Sequence, residues 1–512
     1  MGVLRYFESE LKRVLPVRRH TERDGIVTLR VDLSALRLNF QPLTTFVLIP
    51  AARITADPNS AYALVHDLRL EYGWLEQPGF MVVDAPLLRH SRPGRHSLLV
   101  VLDRGDLDAL PNAPSLSGAL VRHAREQLSR VVLSPYETSR PVSGGRFFNR
   151  DHERKLVIDN PNTNYVVMGM RRVGKTSLLQ ELARRMNADN DYGVKSGALP
   201  THAPVHSSPD GRQHVVVVDC SPYRSTEQLL QTIVERIDPR LGQRFDPNHY
   251  VNYLRRASRV GTRRLQILLD EVDQFIALDR LDDWRATSSL RATANEGYAR
   301  YVFAGQQQIM QGLIEKQAPL FNFATPLPLG AFSNAVARDL IRGPMGQLGV
   351  SIDDALVNQV VHETGGHPNV LQFFCQSFID RLDEEGRDRV LPGDFQRVLD
   401  EPSFDTFVLR TFADTTTIVE KLVVLATLQD GTFTTARLSN HLHQHRVFFT
   451  DAALQGALDD LTYGGILERT GPEYRLKLPV LRTLLRDRYD VAYLIKQVQI
   501  ESPGALARGG GT

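Results

Sequence analysis

The stretch YVVMGMRRVGKTSLL, from Tyr165 to Leu179, decides the fold of this 512-residue chain. Its first four residues form an apolar run typical of a buried strand, and an apolar-periodic helix follows Thr176. Between them, GMRRVGKT matches the G-x-x-x-x-G-K-[ST] phosphate loop in the strand–loop–helix context that this motif requires. In such a loop, backbone N–H groups and the helix N-terminus bind the phosphates of a nucleotide. The sequence therefore predicts an ATP site on a parallel sheet.

Each part of this loop has a chemical role. The glycines let the backbone turn its N–H groups inward, Lys175 can reach the outer phosphates, and the Thr176 hydroxyl can coordinate Mg²⁺. ATP or ADP with Mg²⁺ are therefore the expected cofactors. The loop residues predicted to bind the nucleotide are Gly169, Val173, Gly174, Lys175, Thr176 and Ser177.

A second apolar run, LQILLDEVD at residues 265–273, ends in acids. After a phosphate loop this pattern is typical of an ATPase site in which Asp270 binds Mg²⁺ and Glu271 polarises the attacking water. The alternative, an acidic helix cap, is disfavoured by the pairing with the loop. Gln306 follows a further strand at 299–304 and is predicted either to sense the γ-phosphate or to be an ordinary loop residue. The predicted catalytic residues are Glu271, Lys175 and Gln306, and the predicted metal ligands are Thr176 and Asp270.

The composition is that of an ordinary multidomain globular protein, with 42% hydrophobic residues, 23% charged residues and a net charge of +2. A charge so close to zero provides no global field that would recruit nucleic acid or an anionic membrane. The two cysteines, Cys220 and Cys375, indicate a reducing compartment rather than a disulfide framework. We expect no signal peptide and no membrane span, because the N-terminus is polar and no long apolar run occurs. The predicted location is the cytoplasm.

Residues 1–132 are predicted to form a small α/β domain, an effector or adaptor of unknown activity. Asp84, Asp103, Asp106 and Asp108 follow its strands. These acids could form the metal site of a nuclease or phosphatase, or they could cap helices and close turns. The predicted elements are helices at 7–15 and 60–75 and strands at 45–50, 80–83 and 98–102, while the basic stretch around Arg18, Arg19 and Arg23 is assigned none.

The rest of the chain divides into four predicted parts: a P-loop ATPase core at 133–345, a helical lid at 346–410, a winged-helix domain at 411–490 and a flexible tail at 491–512. The core opens on a connector rich in Pro, Gly and Ser at 133–150. A helix at 333–341 is predicted to end at Gly343-Pro344, since proline stops helices. The other predicted elements of the core are a surface loop at 187–213, a strand at 214–219 and a helix at 226–237.

The winged-helix prediction rests on three helical segments followed by a hairpin. The third helix would enter a DNA groove, yet residues 451–463 read DAALQGALDDLTY, with three aspartates and no basic residue. Its charge disfavours DNA binding, because phosphate contacts supply much of the affinity. On the hairpin, Arg469, Arg475 and Lys477 offer a small basic footprint. His441 and His445 could form a metal pair on one helix face, but no third ligand is evident.

In this order, the motifs resemble the STAND ATPases, signal-transduction ATPases with numerous domains, within the wider ASCE group that includes AAA+ and origin-recognition-type ATPases. The resemblance covers about residues 133–489. FFNRDHE at 147–153 resembles the family's h-h-G-R-x-x-E segment near the adenine, with Asn149 in place of the glycine. Only Arg150 and Glu153 are therefore carried over to this chain.

The resemblance has two further structural implications. Gly366-His367-Pro368 resembles the G-x-P motif, which implies that Pro368 lies against the base and reports its phosphate state to the lid. The implied core is a five-stranded parallel sheet in which the Gln306 strand lies between those of Lys175 and Asp270.

STAND proteins are regulatory switches, often in bacterial signalling or conflict systems, in which ADP holds a closed form and ATP exchange permits self-assembly. The resemblance implies an ATP-driven switch with slow hydrolysis that governs a protein partner, its own oligomerisation or the N-terminal domain. The chain departs from the family because no repeats follow the winged helix, where a sensor is usual. Two alternatives stay open: a DNA-associated AAA+-like ATPase, as an initiator or transposition regulator, and an effector nuclease in residues 1–132 that the ATPase regulates.

Overall fold

The strands of the chain form three sheets in the residues that the structure describes, with five, five and three strands. The first lies in the N-terminal part, the second carries the phosphate loop, and the third lies in the C-terminal part. The computed structural model describes residues 2–40, 43–54, 59–71, 73–87, 98–170, 172–188, 215–242, 245–259, 265–316, 318–413, 416–428, 430–445, 447, 449–463, 465–488 and 490–501.

The N-terminal sheet has the strand order β1-β2-β3-β4-β5, with antiparallel pairing at β1–β2 and β2–β3 and parallel pairing at β3–β4 and β4–β5. The predicted helices and strands of this part are confirmed, and the first two strands were missed. Its elements are α1 (Val3–Val14), β1 (Val17–Arg23), β2 (Ile26–Val31), β3 (Thr44–Ile49), α2 (Asn59–Glu71), β4 (Gly79–Val83), β5 (Leu99–Leu102), α3 (Arg104–Ala109), α4 (Leu116–Gln127) and α5 (Arg130–Leu133).

The second sheet is parallel throughout, with the order β10-β6-β9-β8-β7. The strand before Gln306, β9, lies between β6, which leads to Lys175, and β8, which ends at Asp270, as the resemblance implied. Its elements are α6 (Asp151–Asp159), β6 (Tyr165–Met168), α7 (Lys175–Ala188), β7 (Val215–Asp219), α8 (Thr226–Ile237), α9 (Pro239–Gly242), α10 (Tyr250–Arg259), β8 (Leu265–Asp270), α11 (Asp273–Leu281), α12 (Arg285–Asn295), β9 (Ala299–Gly305), α13 (Gln307–Ile314) and β10 (Thr325–Pro328). The surface loop predicted at 187–213 lies almost wholly outside the described residues.

Five helices follow the sheet: α14 (Asn334–Gln347), α15 (Asp354–Glu363), α16 (Pro368–Glu385), α17 (Pro392–Leu399) and α18 (Pro402–Ala413). The prediction that Gly343-Pro344 ends the first of them was wrong, because Pro344 lies inside α14. A proline in a helix leaves the carbonyl four residues earlier without its usual donor. The Tyr136 hydroxyl lies 3.2 Å from the carbonyl oxygen of Leu340 and 3.0 Å from that of Ile341, and it can donate to either of them. A donor from outside the helix is therefore within hydrogen-bond distance of the Leu340 carbonyl, which Pro344 leaves without its usual partner.

The C-terminal part contains the three predicted helices and the hairpin, and a short third strand pairs with β13. The flexible tail predicted from residue 491 was wrong for residues 491–501, which form α23. Val491, Leu494, Ile495 and Val498, spaced as on one helix face, pack against the hydrophobic core. The elements are α19 (Ile418–Thr427), β11 (Phe433–Thr434), α20 (Thr435–Gln444), α21 (Asp451–Tyr463), β12 (Leu467–Thr470), β13 (Glu473–Leu476), α22 (Pro479–Arg488) and α23 (Val491–Glu501).

The N-terminal part packs directly on the ATPase core. One hydrophobic cluster runs from Phe7 through Leu178 to Phe374 without a break at the predicted boundary near residue 132. Arg37 pairs with Asp339 of α14 at 3.2 Å. The N-terminal part is therefore held against the ATPase by both apolar and ionic contacts. In the described part of the chain, no helix combines the length and apolar character needed to cross a membrane.

Candidate nucleotide site

The phosphate loop has the conformation that its glycines were predicted to allow. Gly169 and Gly174 have φ angles of 155° and 105°, which side chains other than glycine rarely adopt. A Cβ atom on Gly169 would lie 2.5 Å from the Leu329 carbonyl oxygen, just after β10. Glycine is therefore required at residue 169 both by its backbone conformation and by the close approach of the neighbouring strand.

Lys175, the first residue of α7, is only 4% exposed. Its ammonium group donates to the carbonyl oxygens of Gly169 and Met170, at 2.9 and 3.1 Å. A buried ammonium group held by two loop carbonyl groups beside a helix N-terminus is suited to bind the outer phosphates of a nucleotide.

The two predicted metal ligands lie together, as Asp270 accepts a hydrogen bond from the side chain of Thr176. Burial of Asp270, which is 5% exposed, raises its pKa from 3.8 to about 6, and the neighbouring Glu271 also raises it. The hydrogen bond from Thr176 and the charge of Lys175 oppose this shift. A carboxylate and a hydroxyl at the end of the phosphate loop fit Mg²⁺, which prefers oxygen ligands and takes few from the protein when phosphates supply the others. When bound, Mg²⁺ would supply positive charge to the phosphate oxygens.

Glu271 occupies a strained turn between β8 and α11. Its φ angle is 50°, in the left-handed region, and its N–H donates to the Asp270 carboxylate at 3.1 Å. Non-glycine residues seldom adopt this conformation, and strained residues of this kind cluster at functional sites. The turn therefore places the predicted water-polarising carboxylate directly after the predicted metal ligand.

Gln306 lies at the carboxyl end of β9, beside the ends of β6 and β8. Its backbone N–H donates to the Asp273 carboxylate at 2.6 Å. Asp273 is the final acid of the DEVD run, but no local pattern predicts a role for it. Its contact with Gln306 depends on the pairing of β8 with β9, which spacing along the chain does not reveal.

Ser177 has a structural contact as well as its predicted role in nucleotide binding. Its hydroxyl accepts the N–H of Val142 at 3.1 Å, and Glu181, one turn further along α7, accepts the N–H of Gly144 at 3.1 Å. Glu181, which sequence analysis also missed, is buried and contacts Arg184 at 2.7 Å. Side chains of α7, the helix that begins at the phosphate loop, therefore hold the connector against that helix. That Ser177 binds the nucleotide stays a prediction.

The connector ends in two left-handed residues, Asn149 at φ 58° and Arg150 at φ 68°. Glycine, which the h-h-G-R-x-x-E pattern has at the position of Asn149, adopts this conformation readily, and asparagine adopts it more easily than most other residues. The Arg150 guanidinium contacts Glu153 at 3.2 Å, donates to the Gly330 carbonyl oxygen and lies 4.8 Å from the centre of the Phe332 ring. Arg150 therefore joins the connector to the segment after β10.

Residues 365–368 join three parts of the molecule. The Phe332 N–H donates to the Gly366 carbonyl oxygen at 2.9 Å. A Cβ atom on Gly365 would lie 1.9 Å from the Lys477 carbonyl oxygen, and one on Gly366 would lie 2.4 Å from that of Phe332. Pro368, the predicted base contact, begins α16 directly after this double contact.

His367 caps α16 and is 3% exposed. Burial, together with the charges of Arg150, Arg172 and Lys477, lowers its pKa from 6.5 to about 4. Above about pH 6.5 the ring is neutral in both the folded and the unfolded chain. Between these two pKa values the unfolded chain takes up a proton that the folded chain does not, so the free energy of unfolding falls as the pH falls.

We expect this histidine to contribute about 3 kcal/mol of acid destabilisation between pH 6.5 and 4. His367→Asn removes the titrating group and keeps a good helix cap. Urea unfolding followed across this pH range should show a shallower loss of stability in His367→Asn than in the wild type. Parallel pH profiles for the two proteins would contradict the assignment.

The four N-terminal acids have structural partners. Asp103 and Asp106 form a reciprocal capping box at the start of α3, each accepting the other's backbone N–H at 3.1 Å. Arg104 bridges Asp84 and Asp108, at 2.9 Å from each. No group of three or more His, Cys, Asp or Glu residues that could hold a metal ion occurs among the residues that the structure describes. Caps and ion pairs therefore account for these acids.

The predicted basic hairpin surface is partly used within the chain. Arg475 pairs with Glu468 at 2.5 Å, and Arg469 lies 5.4 Å from the centre of the Tyr474 ring. The ion pair reduces the positive charge that the hairpin offers to a phosphate backbone, whereas the ring contact leaves the charge of Arg469 unchanged. His441 and His445 lie with ring centroids 4.9 Å apart on α20.

A family model and several solved structures are similar to this chain. Residues 159–313 match the family model of the AAA domain. No curated protein matches the chain by sequence. Similar solved structures include a Walker-type ATPase of Pyrococcus abyssi, with a TM-score of 0.50 and 13% identity over 69% of this chain and 99% of that one. They also include the ORC2 protein of Aeropyrum pernix, with a TM-score of 0.46 and 12% identity over 72% of this chain and 98% of that one. A third is the RuvB Holliday junction branch migration motor of Thermotoga maritima, with a TM-score of 0.37 and 13% identity over 69% of this chain and 98% of that one. The family match therefore shows an AAA domain over residues 159–313, and the sheet with its loop has the fold of a P-loop ATPase.

Proposed function

We propose that the chain is an ATP-binding and ATP-hydrolysing regulatory switch of the STAND type. In this proposal the state of the nucleotide sets the arrangement of the helices after the sheet and of the C-terminal part, which acts as a winged-helix domain. The contact between the phosphate loop and these later parts carries the proposal. The Arg172 guanidinium lies 5.0 Å from the centre of the Phe407 ring in α18, and a Cβ atom on Gly465 would lie 3.8 Å from the Met170 sulfur.

Such a contact can transmit the state of the nucleotide. A ligand shifts a conformational equilibrium only when it binds one arrangement better than another. Met170 and Arg172 belong to the loop that would bind the phosphates, so a change in the loop alters the surface against which Phe407 and Gly465 pack. The docked C-terminal part is therefore placed to respond to nucleotide exchange.

The residues of the site take separate roles in this switch. Lys175 binds the outer phosphates, and Thr176 with Asp270 holds Mg²⁺. Glu271 orients the attacking water and Gln306 senses the γ-phosphate. At the opposite end of the nucleotide, Arg150 and Pro368 lie near the base and connect it to α16.

The N-terminal part acts in this proposal as an adaptor that moves with the ATPase. Arg130 of α5 donates its backbone N–H to the Asp383 carboxylate of α16 at 3.1 Å, and the Asn39 N–H donates to the carbonyl oxygen of Leu133, the last residue of α5, at 2.9 Å. These contacts connect the N-terminal sheet to the same helix that Pro368 begins. A protein partner or a second copy of the chain, in a cytoplasmic signalling or defence system, is the proposed recipient of the signal.

We expect the assembly of the chain, or the docking of its C-terminal part, to change with the bound nucleotide. Mass photometry with ADP, with ATP and without nucleotide should give different mass distributions, and hydrogen exchange at residues 465–477 should differ between ADP and ATP. Lys175→Ala should remove both differences, because it removes the phosphate contact. A protein that hydrolyses ATP yet shows one mass and one exchange pattern under all three conditions would contradict the switch and leave a plain ATPase.

A further inference from the structure

Asp273 joins the two segments that carry the candidate catalytic residues. It is the first residue of α11, two residues after Glu271. Its carboxylate accepts the backbone N–H of Gln306 at 2.6 Å and that of Gln308 at 2.7 Å, with Ile309 at 3.4 Å. One carboxylate therefore caps the start of α13 and fixes the backbone of Gln306.

The backbone beside Asp273 makes a second connection to the same strand. The Val272 N–H donates to the Ala304 carbonyl oxygen at 3.0 Å. On the other side of the turn, the Cys220 N–H donates to the Asp270 carbonyl oxygen at 2.8 Å. Glu271, with its left-handed backbone conformation, thus lies between Asp270 and Val272, which are both held by hydrogen bonds to neighbouring segments of the sheet. This support is what a strained backbone conformation needs in order to persist.

Gly305 shows how closely these two segments approach. A Cβ atom on Gly305 would lie 2.9 Å from the Asp273 carboxylate and 3.0 Å from methyl groups of both Ile309 and Val272. Its φ angle is not positive, so the backbone itself would accept another residue. A side chain at residue 305 would therefore displace the Asp273 carboxylate.

We propose that Asp273 is a positioning residue for ATP hydrolysis, which holds Glu271 and Gln306 in one fixed arrangement. This inference rests on the proposed ATPase function of the site. Asp273 itself contacts neither the loop glycines nor Lys175 in any of its hydrogen bonds described above. Its loss should therefore affect turnover much more than nucleotide affinity. A displacement of about 1 Å in a catalytic group can cost about 10²-fold in rate.

Asp273→Asn tests this role at nearly constant shape. One carboxylate oxygen becomes an amide nitrogen, which donates hydrogen bonds and cannot accept one from a backbone N–H. We expect kcat to fall by about 10- to 100-fold while the Kd for ATP changes by less than about threefold, since only the transition-state arrangement is disturbed.

Asp279 provides a matched control on the same helix. Its carboxylate caps α12, accepting the N–H groups of Ala286 and Thr287 at 2.8 and 2.7 Å. Asp279→Asn therefore removes the same kind of cap, from a more deeply buried residue, without touching Glu271 or Gln306. Thermal unfolding of both variants gives the loss of stability, and kcat should stay near the wild-type value in Asp279→Asn.

Gly305→Ala disturbs the same contact from the other side and keeps the proposal testable if Asp273→Asn folds poorly. It should lower kcat with little change in the Kd for ATP. The double variant Asp273→Asn/Gly305→Ala should have its kcat reduced by less than the product of the two single reductions, because both substitutions act on one contact. Equal kcat values in Asp273→Asn, Gly305→Ala and Asp279→Asn would overturn the positioning role. A wild-type protein that fails to bind or hydrolyse ATP would instead overturn the proposed function.

Discussion

Lys175→Ala is expected to weaken ATP binding by at least about 10²-fold, because a charged hydrogen-bonding partner of a phosphate contributes about 3 kcal/mol. The side chain is almost fully buried and projects over the loop, so water cannot replace it easily. The substitution also leaves the carbonyl oxygens of Gly169 and Met170 without this donor. Isothermal titration calorimetry with ATP and Mg²⁺ measures the effect directly.

Lys155→Ala is the control for this experiment. Lys155 is an exposed residue of α6, so its replacement removes the same charge and leaves the loop unchanged. The control should bind ATP with the wild-type affinity. If circular dichroism shows both proteins to be folded and Lys175→Ala binds ATP as tightly as the control, Lys175 does not bind the phosphates of ATP.

The sequence predicted the elements of the ATPase sheet well because parallel strands buried on both faces form continuous apolar runs. Residues 215–218 are four valines, and Leu265–Asp270 is nearly as apolar. The order of the strands has a different origin. It came from the resemblance of the motifs to a known family, since spacing along the chain does not say which strands are neighbours.

Three elements of the fold differ from the sequence prediction. The β1–β2 hairpin was missed although Asp24 and Gly25 both have positive φ angles, as a two-residue hairpin turn requires, and an Asp-Gly pair is its usual signal. Local rules predict a helix end at Pro344 because they cannot include a donor from Tyr136, which lies far away in the sequence. The apolar period of α23 is visible in the sequence, but the glycine-rich residues that follow it favour a flexible end.

The residues of the candidate site also fall into two groups, those that the sequence predicts and those that only the folded chain reveals. The motif located Lys175 and Asp270, whose roles depend on their immediate neighbours in the chain. Asp273 and His367 could not be assigned from local sequence, since the contact of Asp273 with Gln306 and the burial of His367 beside Lys477 arise only in the folded chain. Sequence patterns thus identify residues with local roles and miss those whose role is to connect distant segments.

Glu271→Gln is expected to retain ATP while slowing its hydrolysis by about 10²-fold or more, as loss of general-base assistance generally does. Glutamine has the same shape but lacks the charge that polarises the attacking water, and it can occupy the same left-handed turn at similar cost. The variant should therefore bind ATP with nearly unchanged affinity. Steady-state phosphate release gives kcat, and equilibrium titration with a fluorescent ATP analogue gives Kd.

Glu235→Gln is the matched control, because Glu235 lies exposed on α8 and its carboxylate contacts Gln231 at 2.8 Å. Its kcat should equal that of the wild type. If Glu271→Gln hydrolyses ATP as fast as this control, Glu271 is not the water-polarising residue. Because Glu271 is expected to supply its charge and Asp273 only its position, Glu271→Gln should lower kcat at least as much as Asp273→Asn. The reverse order would mean that the arrangement held by Asp273 contributes through Gln306 more than through Glu271.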